Sequence, residues 1–320
     1  MNGLGPKISV IIPVLNREKF IERTLNSVFG QNVLPHELII VDNGSTDNTL
    51  KIIDEVVKKY AHLQLPVKIL HEPKQSAAGA RHTGATNATG EWFVFFDSDD
   101  VMLPNLVKNY AKAILHNPLA QVIITNAVRV NYKTGKVRNL PFFLNDLLDN
   151  HILHAILATQ RYAIRRETYQ HTLGWDANFT TWNDWEMGVR ILLQNPVIDS
   201  IYSKEPQVLW TAHADSITGN DFYSKAGSWE KAIDAVEQYV RLSPIPTEKH
   251  RERLMLYINH RRITLAAAYR HENHPELAQP LLEKALSSVP SKWNRAVMRM
   301  AYWHAPRRGA TLISTTLYKI

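Results

Sequence analysis

The chain has 320 residues, of which 45% are apolar, and this length allows one large core with a smaller appendage. It contains no cysteine, so disulfides, thiolate metal sites and cysteine nucleophiles are excluded. The net charge of +7 is unevenly placed, because residues 241–320 hold 14 Lys or Arg against 5 Glu. That part alone carries +9, and the first 240 residues sum to about −2. We expect an anionic partner, such as a membrane surface, to meet the basic part, although solvated helix faces explain the charge equally well.

The first seven residues contain neither a basic stretch nor an apolar one, and no run of 18 apolar residues occurs anywhere. We therefore expect a protein that is neither exported nor membrane-spanning. The absence of cysteine fits an intracellular, cytoplasmic location.

The first part of the chain alternates strand patterns with helix patterns. Apolar runs predict strands at residues 8–14, 37–41, 67–70 and 92–96, and each run is followed by residues with helical spacing. Four such alternations favour right-handed βαβ units and a mostly parallel sheet.

Later segments are less regular. We predict a strand at residues 121–132 and a second strand at residues 137–140, which together form a hairpin. A helix is predicted at residues 142–160. Residues 162–164 predict a short strand, and the acidic, Trp-bearing segment 181–186 predicts the start of another helix. From about residue 221 onward only helices are predicted, near 226–242, 249–271, 275–288 and 293–303. The last of these is basic and carries Trp, so it can lie on an anionic bilayer or pack on the preceding helices.

Acidic residues follow the strand predicted at residues 92–96, which reads as buried on both faces. Asp97, Asp99 and Asp100 come directly after it, and carboxylates at the end of a buried strand need a cation or an exposed crevice. A hard divalent cation such as Mg²⁺ or Mn²⁺ suits Asp97 and Asp99. The alternative is an acidic helix N-terminus capped by Asp99 or Asp100.

Four separated stretches together resemble family 2 glycosyltransferases of the GT-A fold, of the type that acts in bacterial glycan biosynthesis. The resemblance covers about residues 7–220, in the family's order, and implies a doubly wound mixed α/β sheet with a C-terminal α-helical appendage. It places a catalytic domain at residues 1–220 and leaves 221–320 as a basic helical region for acceptor, membrane or partner contact. The four stretches are ISVIIPVLN at 8–16, IVDNGSTD at 40–47, DSDD at 97–100 and NDWE at 183–186.

Roles for five residues follow from this resemblance. It makes Pro13 and Asn16 walls of a nucleotide pocket and Asp42 an acceptor for the base or ribose. Arg81 would neutralise the diphosphate or fix a carboxylate ligand of the metal. Asp184 would be the general base that takes the proton of the acceptor hydroxyl. The alternatives are an Asx-turn at Asp42, a surface ion pair at Arg81 and a helix cap at Asp184.

The metal site is implied in the same way. Asp97, Ser98 and Asp99 match the family's Asp-x-Asp segment, which holds the cation and contacts the ribose and diphosphate. His213 resembles a position near the end of the family's catalytic region, where a residue completes the metal coordination shell or binds phosphate. The alternative is a histidine in a solvent-exposed loop.

The sequence departs from the family's commonest pattern at three positions. Asn43 stands where a second Asp is frequent, His82 where Asn is frequent, and Asn183 where Glu often precedes the base. All three replacements are polar, so they bear on acceptor and nucleotide details rather than on the reaction.

The implied reaction is transfer, with inversion, of a hexose or N-acetylhexosamine from a nucleotide-diphosphate sugar, most often UDP-linked. The expected acceptor is a hydroxyl of a cell-surface glycan or lipid-linked precursor, with Mg²⁺ or Mn²⁺ as cofactor and no nucleic-acid partner. A peripheral contact with the inner face of the cytoplasmic membrane through the C-terminal region is a further expectation. Two alternatives are a nucleotidyltransferase, which needs a Gly-rich loop that residues 13–18 lack, and a sugar-nucleotide binding or scaffold protein without turnover.

Overall fold

A computed structural model describes residues 5–131, 134–140, 144–201, 203, 205–212, 221–304 and 318. The chain divides into two compact units. The first comprises Met1–Phe143, Ile156–Thr180 and Asn195–His213, and the second comprises Leu144–Ala155, Thr181–Gln194 and Ala214–Ile320. Two segments from the first 220 residues therefore share a unit with the C-terminal helices.

The described strands and helices follow in chain order. The strands are β1 (Ile8–Val14), β2 (Glu37–Asp42), β3 (Val67–His71), β4 (Trp92–Phe95), β5 (Val101–Met102), β6 (Val122–Ile124), β7 (Ala127–Asn131), β8 (Val137–Leu140), β9 (Tyr162–Arg165), β10 (Ile198–Ser200) and β11 (Val208–Ala212). The α-helices are α1 (Ile21–Phe29), α2 (Thr49–Lys59), α3 (Ala77–Asn87), α4 (Leu106–His116), α5 (Leu147–His154), α6 (Arg166–His171), α7 (Asn183–Leu192), α8 (Ser228–Leu242), α9 (Glu248–His271), α10 (Pro275–Ser287) and α11 (Lys292–His304).

The first unit is built on a seven-stranded mixed sheet with the strand order β10-β6-β9-β4-β1-β2-β3. Neighbouring strands are parallel except at β9, which is antiparallel to both β4 and β6. A smaller sheet has the order β5-β11-β7-β8. The alternating strands and helices of residues 8–117 thus form the predicted parallel centre.

Helices cover both faces of this centre. All residues of β1 and β4 are buried, which confirms that the apolar run at residues 92–96 is a strand buried on both faces. Apolar residues of α1, α2 and α4 share one core with the even-numbered residues of β1. On the opposite face α3 lies so close to β1 that a Cβ added at Gly84 would overlap the Ile11 side chain. The sheet is therefore doubly wound, as predicted.

The prediction of a single strand at residues 121–132 is wrong. The segment forms β6 in the large sheet and β7 in the small one, with Thr125 and Asn126 between them. Thr125 N–H still donates to Arg161 beside β9, whereas the Asn126 carbonyl accepts from Gln207, which leads into β11. The chain changes sheets here, and a continuous β-forming composition does not reveal such a change. The predicted hairpin is confirmed, because β7 and β8 pair antiparallel.

Every strand-or-helix element that the structure describes in the second unit is a helix. Its long helix α9 packs against α5, α8, α10 and α11. The buried Arg262 of α9 donates to Asp234 and Glu237 of α8, which pairs its charge as burial requires. None of the described helices is long and apolar enough to cross a membrane.

Candidate active site

Three loops of the first unit begin at the same edge of the large sheet. In the parallel register, Val14 of β1 lies beside Asp42 of β2, and Ile11 of β1 lies beside Phe95 of β4. The loop that carries Asn16, the loop that follows Asp42 and the loop that carries Asp97 therefore start from neighbouring strand ends. The carboxyl edge of an open α/β sheet is where such folds bind ligands.

Asn16 joins the first two of these loops. Its backbone is left-handed, with φ of +51°, a conformation that Asn tolerates better than most residues. Its Oδ1 accepts from the Thr46 N–H at 2.8 Å, and its own N–H donates to Ser45 Oγ at 3.1 Å. Pro13, the other predicted pocket wall, lies in β1 two residues before the strand exits at Leu15. The two residues thus occupy one strand end and the loop that leaves it.

Asp42 is buried at the end of β2 and shapes the loop after it. Its two carboxylate oxygens accept from the N–H groups of Gly44 and Ser45 at 3.2 and 3.1 Å, and His71 Nδ1 lies 3.3 Å from Oδ2. These are the contacts of the Asx-turn alternative. A carboxylate has about four acceptor sites, so the same oxygens can still accept from a ribose or base.

The contacts of Asn43 explain why an amide stands at this position, where the family often has a second Asp. Its Nδ2 donates to the carbonyls of Glu72 and Lys74 at 2.8 Å each, and its Oδ1 accepts from the Ser76 N–H at 2.8 Å. A carboxylate could not donate to those carbonyls. The amide fixes the chain that leads into α3, whose N-cap Ser76 accepts from Gly79 N–H.

We call residues 97–100 the acidic tip, and its carboxylates have two different environments. The Asp97 and Asp99 side chains are 31% and 16% exposed, whereas Asp100 is only 1% exposed. Asp100 accepts from Thr211 N–H and from Gln160 Nε2, both at 2.7 Å. Burial raises the pKa of Asp100 well above its ordinary value, and the negative charges of Asp99 and Asp97 add to this effect. Asp97 and Asp99 are therefore the two acids available to a ligand.

Arg81 is the partner of Asp97. Its guanidinium donates to Asp97 Oδ1 at 2.6 Å and lies over the Trp175 ring, 4.8 Å from the ring centroid. Both the buried position and the stacked geometry differ from a surface ion pair, which was the alternative for this residue. Arg81 is thus paired with one carboxylate of the acidic tip.

Two further arginines that sequence reasoning missed support the acidic tip. Arg17 Nε lies 3.6 Å from Asp99 Oδ2. Arg23 donates to the Asp99 carbonyl at 2.6 Å and to Thr211 Oγ1 at 2.9 Å. Their place in the sequence could have suggested this contact, because Arg17 and Arg23 follow the carboxyl end of β1, as Asn16 does. The two guanidinium groups partly offset the negative charge of the carboxylates that lie close together in the acidic tip.

Ser98, the remaining predicted residue of this segment, is buried between Asp97 and Asp99. The Thr24 hydroxyl lies 3.0 Å from the Ser98 carbonyl oxygen and 2.8 Å from that of Asp100, so its one hydrogen is shared between the two carbonyls. Helix α1 therefore holds the backbone of the acidic tip in place.

The chemistry of this donor set fits a hard divalent cation. Among the residues that the structure describes, no group of three or more His, Asp or Glu is placed to hold a metal ion, and His213 lies outside those residues. Mg²⁺ in particular is often held by one or two carboxylates together with substrate phosphates rather than by an all-protein cage. Asp97 and Asp99 match that requirement.

Asp184 belongs to the second unit, in the first turn of α7. The helix begins after Trp182, whose φ of +47° is left-handed and whose side chain makes no cap hydrogen bond. Asp184 Oδ1 accepts from Trp185 N–H at 2.8 Å, at the positive end of the helix dipole. The nearby Glu186 is buried and accepts two hydrogen bonds from Arg190, at 2.6 and 2.8 Å. Glu186 therefore has a structural ion pair within α7.

Comparisons with known proteins identify the family of the chain. The model of the family described as glycosyl transferase family 2 matches residues 9–181. An uncharacterised glycosyltransferase of Haemophilus influenzae is 34% identical over 115 residues, which are 36% of this chain and 44% of that protein. Glycosyltransferase GlyG of Streptococcus pneumoniae is 32% identical over 129 residues, 40% of this chain and 41% of GlyG. The chain thus spans less than half the length of these curated relatives.

A solved structure shares the fold. The crystal structure of S. aureus TarS 1–349 in complex with UDP-GlcNAc superposes with a TM-score of 0.70 at 18% identity, over 93% of this chain and 91% of that one. This likeness confirms the predicted GT-A architecture with C-terminal helices. Since the family model covers more than half of its residues, the chain belongs to glycosyl transferase family 2.

Proposed function

We propose that the chain is an inverting glycosyltransferase that moves a sugar from a nucleotide-diphosphate sugar to a hydroxyl of a cell-surface glycan or lipid-linked precursor. The observation that carries the proposal is the acidic tip. It presents Asp97 and Asp99 at the end of the central strand β4, beside the loops of Asn16 and Asp42. Two outward carboxylates at this edge suit a cation shared with a diphosphate.

The donor in this proposal is UDP-linked, with a hexose or an N-acetylhexosamine as the sugar. Support comes from the shared fold with TarS, which was crystallised with UDP-GlcNAc. Pro13, Asn16 and Asp42 would contact the nucleoside, because they line the strand end and loops nearest β1 and β2.

The proposed cofactor is Mg²⁺ or Mn²⁺, held by Asp97 and Asp99 with His213 as a further ligand. When bound, such a cation stabilises the negative charge that develops on the departing diphosphate. Arg81 holds Asp97 in one orientation, so this carboxylate needs little rearrangement to act as a ligand.

The proposed chemical step is a single displacement. Asp184 takes the proton of the acceptor hydroxyl while its oxygen bonds to the anomeric carbon, and the bond from that carbon to the diphosphate oxygen breaks. The nucleotide diphosphate leaves with the bonding electron pair, and the proton stays on Asp184. Attack opposite the leaving group inverts the anomeric configuration.

A donor screen tests the proposal. UDP-, GDP- and dTDP-linked sugars are incubated with the full chain, with Mn²⁺ or with a chelator, and release of the nucleotide diphosphate is measured. We expect turnover with one nucleotide class, in the presence of the cation. Absence of turnover and of nucleotide binding across the whole panel contradicts the proposal.

The base assignment is tested separately. Asp184→Asn should abolish transfer while nucleotide binding persists, because the amide cannot accept the proton. The matched control is Asp221→Asn, which changes an exposed Asp that also accepts a backbone N–H, that of Ser224. Transfer by Asp184→Asn at the rate of the control rules out Asp184 as the base.

We also propose a cytoplasmic location with peripheral contact on an anionic membrane face, through α11. One side of this helix is buried, including Val297 and Met298, while Trp293, Met300 and Trp303 are 47%, 40% and 64% exposed. Packing against the preceding helices, which was the alternative to membrane contact, therefore accounts for only the buried face of α11. Support for the membrane comes from the exposed Trp and Met side chains within the segment of residues 241–320 that carries +9.

Vesicle flotation tests this contact. The variant Trp293→Ser with Met300→Ser should lose binding to vesicles that contain anionic lipid, and the wild type should bind neutral vesicles weakly. The control is Leu119→Ser with Leu173→Ser, which removes two exposed apolar side chains from the first unit. Equal flotation of the two variants contradicts the contact.

A further inference from the structure

The C-terminal helix α9 contacts the segment that carries the candidate base. Arg261 of α9 donates through Nε to the Ile152 carbonyl of α5 at 3.1 Å. Its guanidinium lies 4.7 Å from the Trp182 ring centroid and 4.3 Å from that of Trp185. Trp185 Nε1 donates to the same Ile152 carbonyl at 3.2 Å. One cation thus joins α5, α9 and the start of α7.

The two tryptophans flank Asp184 in the chain and control its geometry. Trp182 is the N-cap of α7 and is held at φ of +47°, a conformation that bulky residues rarely adopt without support. Trp185 supplies the N–H that Asp184 Oδ1 accepts at 2.8 Å. A guanidinium stacked on both rings therefore restricts the backbone on either side of the carboxylate.

Arg261 also acts through its charge. Desolvation lowers the pKa of Arg261 to about 10, against the attraction of the Asp184 carboxylate, which raises it. The guanidinium is still positive near neutral pH. The two opposite charges therefore attract each other.

We infer that Arg261 is a positioning residue for Asp184: it fixes the Trp182 to Trp185 turn by stacking on both rings, and it places a positive charge beside the first turn of α7. This inference rests on the proposed role of Asp184 as the base. It gives the C-terminal helical region a part in the reaction, beyond any contact with acceptor or membrane.

Three histidines on α5 and α9 do not supply this charge. Burial lowers the pKa of His151 on α5 to about 3 and that of His260 on α9 to about 4, and it also lowers the pKa of His154 on α5. The neutral imidazoles are therefore favoured. On α7 itself Glu186 is paired with Arg190, and α8 contributes the uncharged ring of Trp229, 4.9 Å from that of Trp182.

The experiment compares three variants of the full chain. Arg261→Met keeps most of the side-chain volume and removes the charge, whereas Arg261→Lys keeps the charge and loses the planar stack. The matched control is Arg270→Met, because Arg270 lies on the same helix and stacks on Tyr302 and Trp303 at 4.9 and 4.8 Å. Its position is about 13 Å further along the helix axis.

Each variant is assayed for kcat, for KM, for UDP affinity and for the acid limb of the pH profile of kcat/KM. For Arg261→Met we expect kcat to fall about 100-fold, the loss typical of a misplaced reacting group. We expect its acid limb to move to higher pH, because the candidate base loses a neighbouring cation. UDP affinity should not change. Arg261→Lys should keep the wild-type acid limb with a reduced kcat, and Arg270→Met should match the wild type throughout.

The outcomes separate this inference from the proposed function. If the wild type transfers no sugar, or if Asp184→Asn stays active, the proposed function fails and the variant data are not needed to show it. If Asp184→Asn is inactive while Arg261→Met matches Arg270→Met in kcat and in the acid limb, the inference about Arg261 is overturned alone. If circular dichroism shows that Arg261→Met is unfolded, Arg261→Lys decides, and an acid limb displaced in that variant overturns the inference.

Discussion

Glu37 provides a prediction whose magnitude follows from its contacts. Its side chain is 3% exposed at the start of β2. Oε1 accepts from Ser9 Oγ at 2.7 Å, from Thr89 Oγ1 at 2.8 Å, and from the N–H groups of Thr89 and Gly90. Oε2 lies 2.9 Å from Lys68 Nζ. One carboxylate therefore ties together β1, β2, β3 and the chain entering β4.

These contacts set the acid dependence of stability. Desolvation alone would raise the pKa of Glu37, but the hydrogen bonds from Thr89, Lys68 and Ser9 outweigh it and lower the pKa from 4.5 to about 2. At about 1.4 kcal/mol per pKa unit, the difference corresponds to about 3 kcal/mol of unfolding free energy. Because the folded-state pKa is the lower one, this contribution is fully present above about pH 4.5. It is lost as the pH falls through about 2.

Glu37→Gln replaces the acceptor carboxylate by an amide that cannot satisfy all these donors. Urea unfolding at pH 7 should show a loss of about 3 kcal/mol, and the variant should lose less stability than the wild type between pH 4.5 and pH 2. Glu91→Gln, at an exposed Glu just before β4, is the control and should behave as the wild type. A Glu37→Gln protein within about 0.5 kcal/mol of the control, or with wild-type acid sensitivity, refutes the reasoning.

Three further variants test contacts around the site. Gly84→Ala should destabilise the chain by about 1–3 kcal/mol in urea unfolding, since its Cβ would overlap Ile11; unchanged stability would mean that α3 can move off the sheet. Asn43→Asp should cost about 2 kcal/mol in the same assay, because two carbonyls lose their donor and face a carboxylate, and a neutral effect would contradict the assigned role. Arg81→Met should weaken Mn²⁺ binding in the presence of UDP by about 10-fold, measured by calorimetry, because Asp97 loses its orienting partner; wild-type affinity would contradict that function of Arg81.

The part of the fold that could be predicted is the part whose signals are local. The strand at residues 92–96 is a continuous apolar run ended by acids, and the helices after residue 221 have clear apolar spacing. The break at Thr125 and Asn126 was missed because both halves of residues 121–132 favour strands, and the choice of sheet is made by distant partners such as Arg161 and Gln207. Strands β10 and β11 were missed as well.

The site shows the same limit. Motif order predicted roles for Asp97, Asp99 and Asp184, but it could not show that Asp100 is buried while the Asp97 and Asp99 side chains are partly exposed. That difference depends on Thr211 and Gln160, which lie 111 and 60 residues away in the chain. The arginines around the acidic tip and Arg261 beside the start of α7 likewise depend on contacts across the fold. The spacing of residues in the sequence does not predict contacts between residues that are distant in the chain.

The central claim is that the acidic tip binds a nucleotide diphosphate together with a divalent cation. Calorimetric titration of UDP, GDP and dTDP into the wild type and into Asp97→Asn, with Mn²⁺ or with a chelator, tests it most directly. We predict that one of these nucleotides binds the wild type, that chelation removes most of its affinity, and that Asp97→Asn binds weakly under both conditions. Cation-independent binding of equal strength in both proteins, or no binding of any of the three, would contradict the claim.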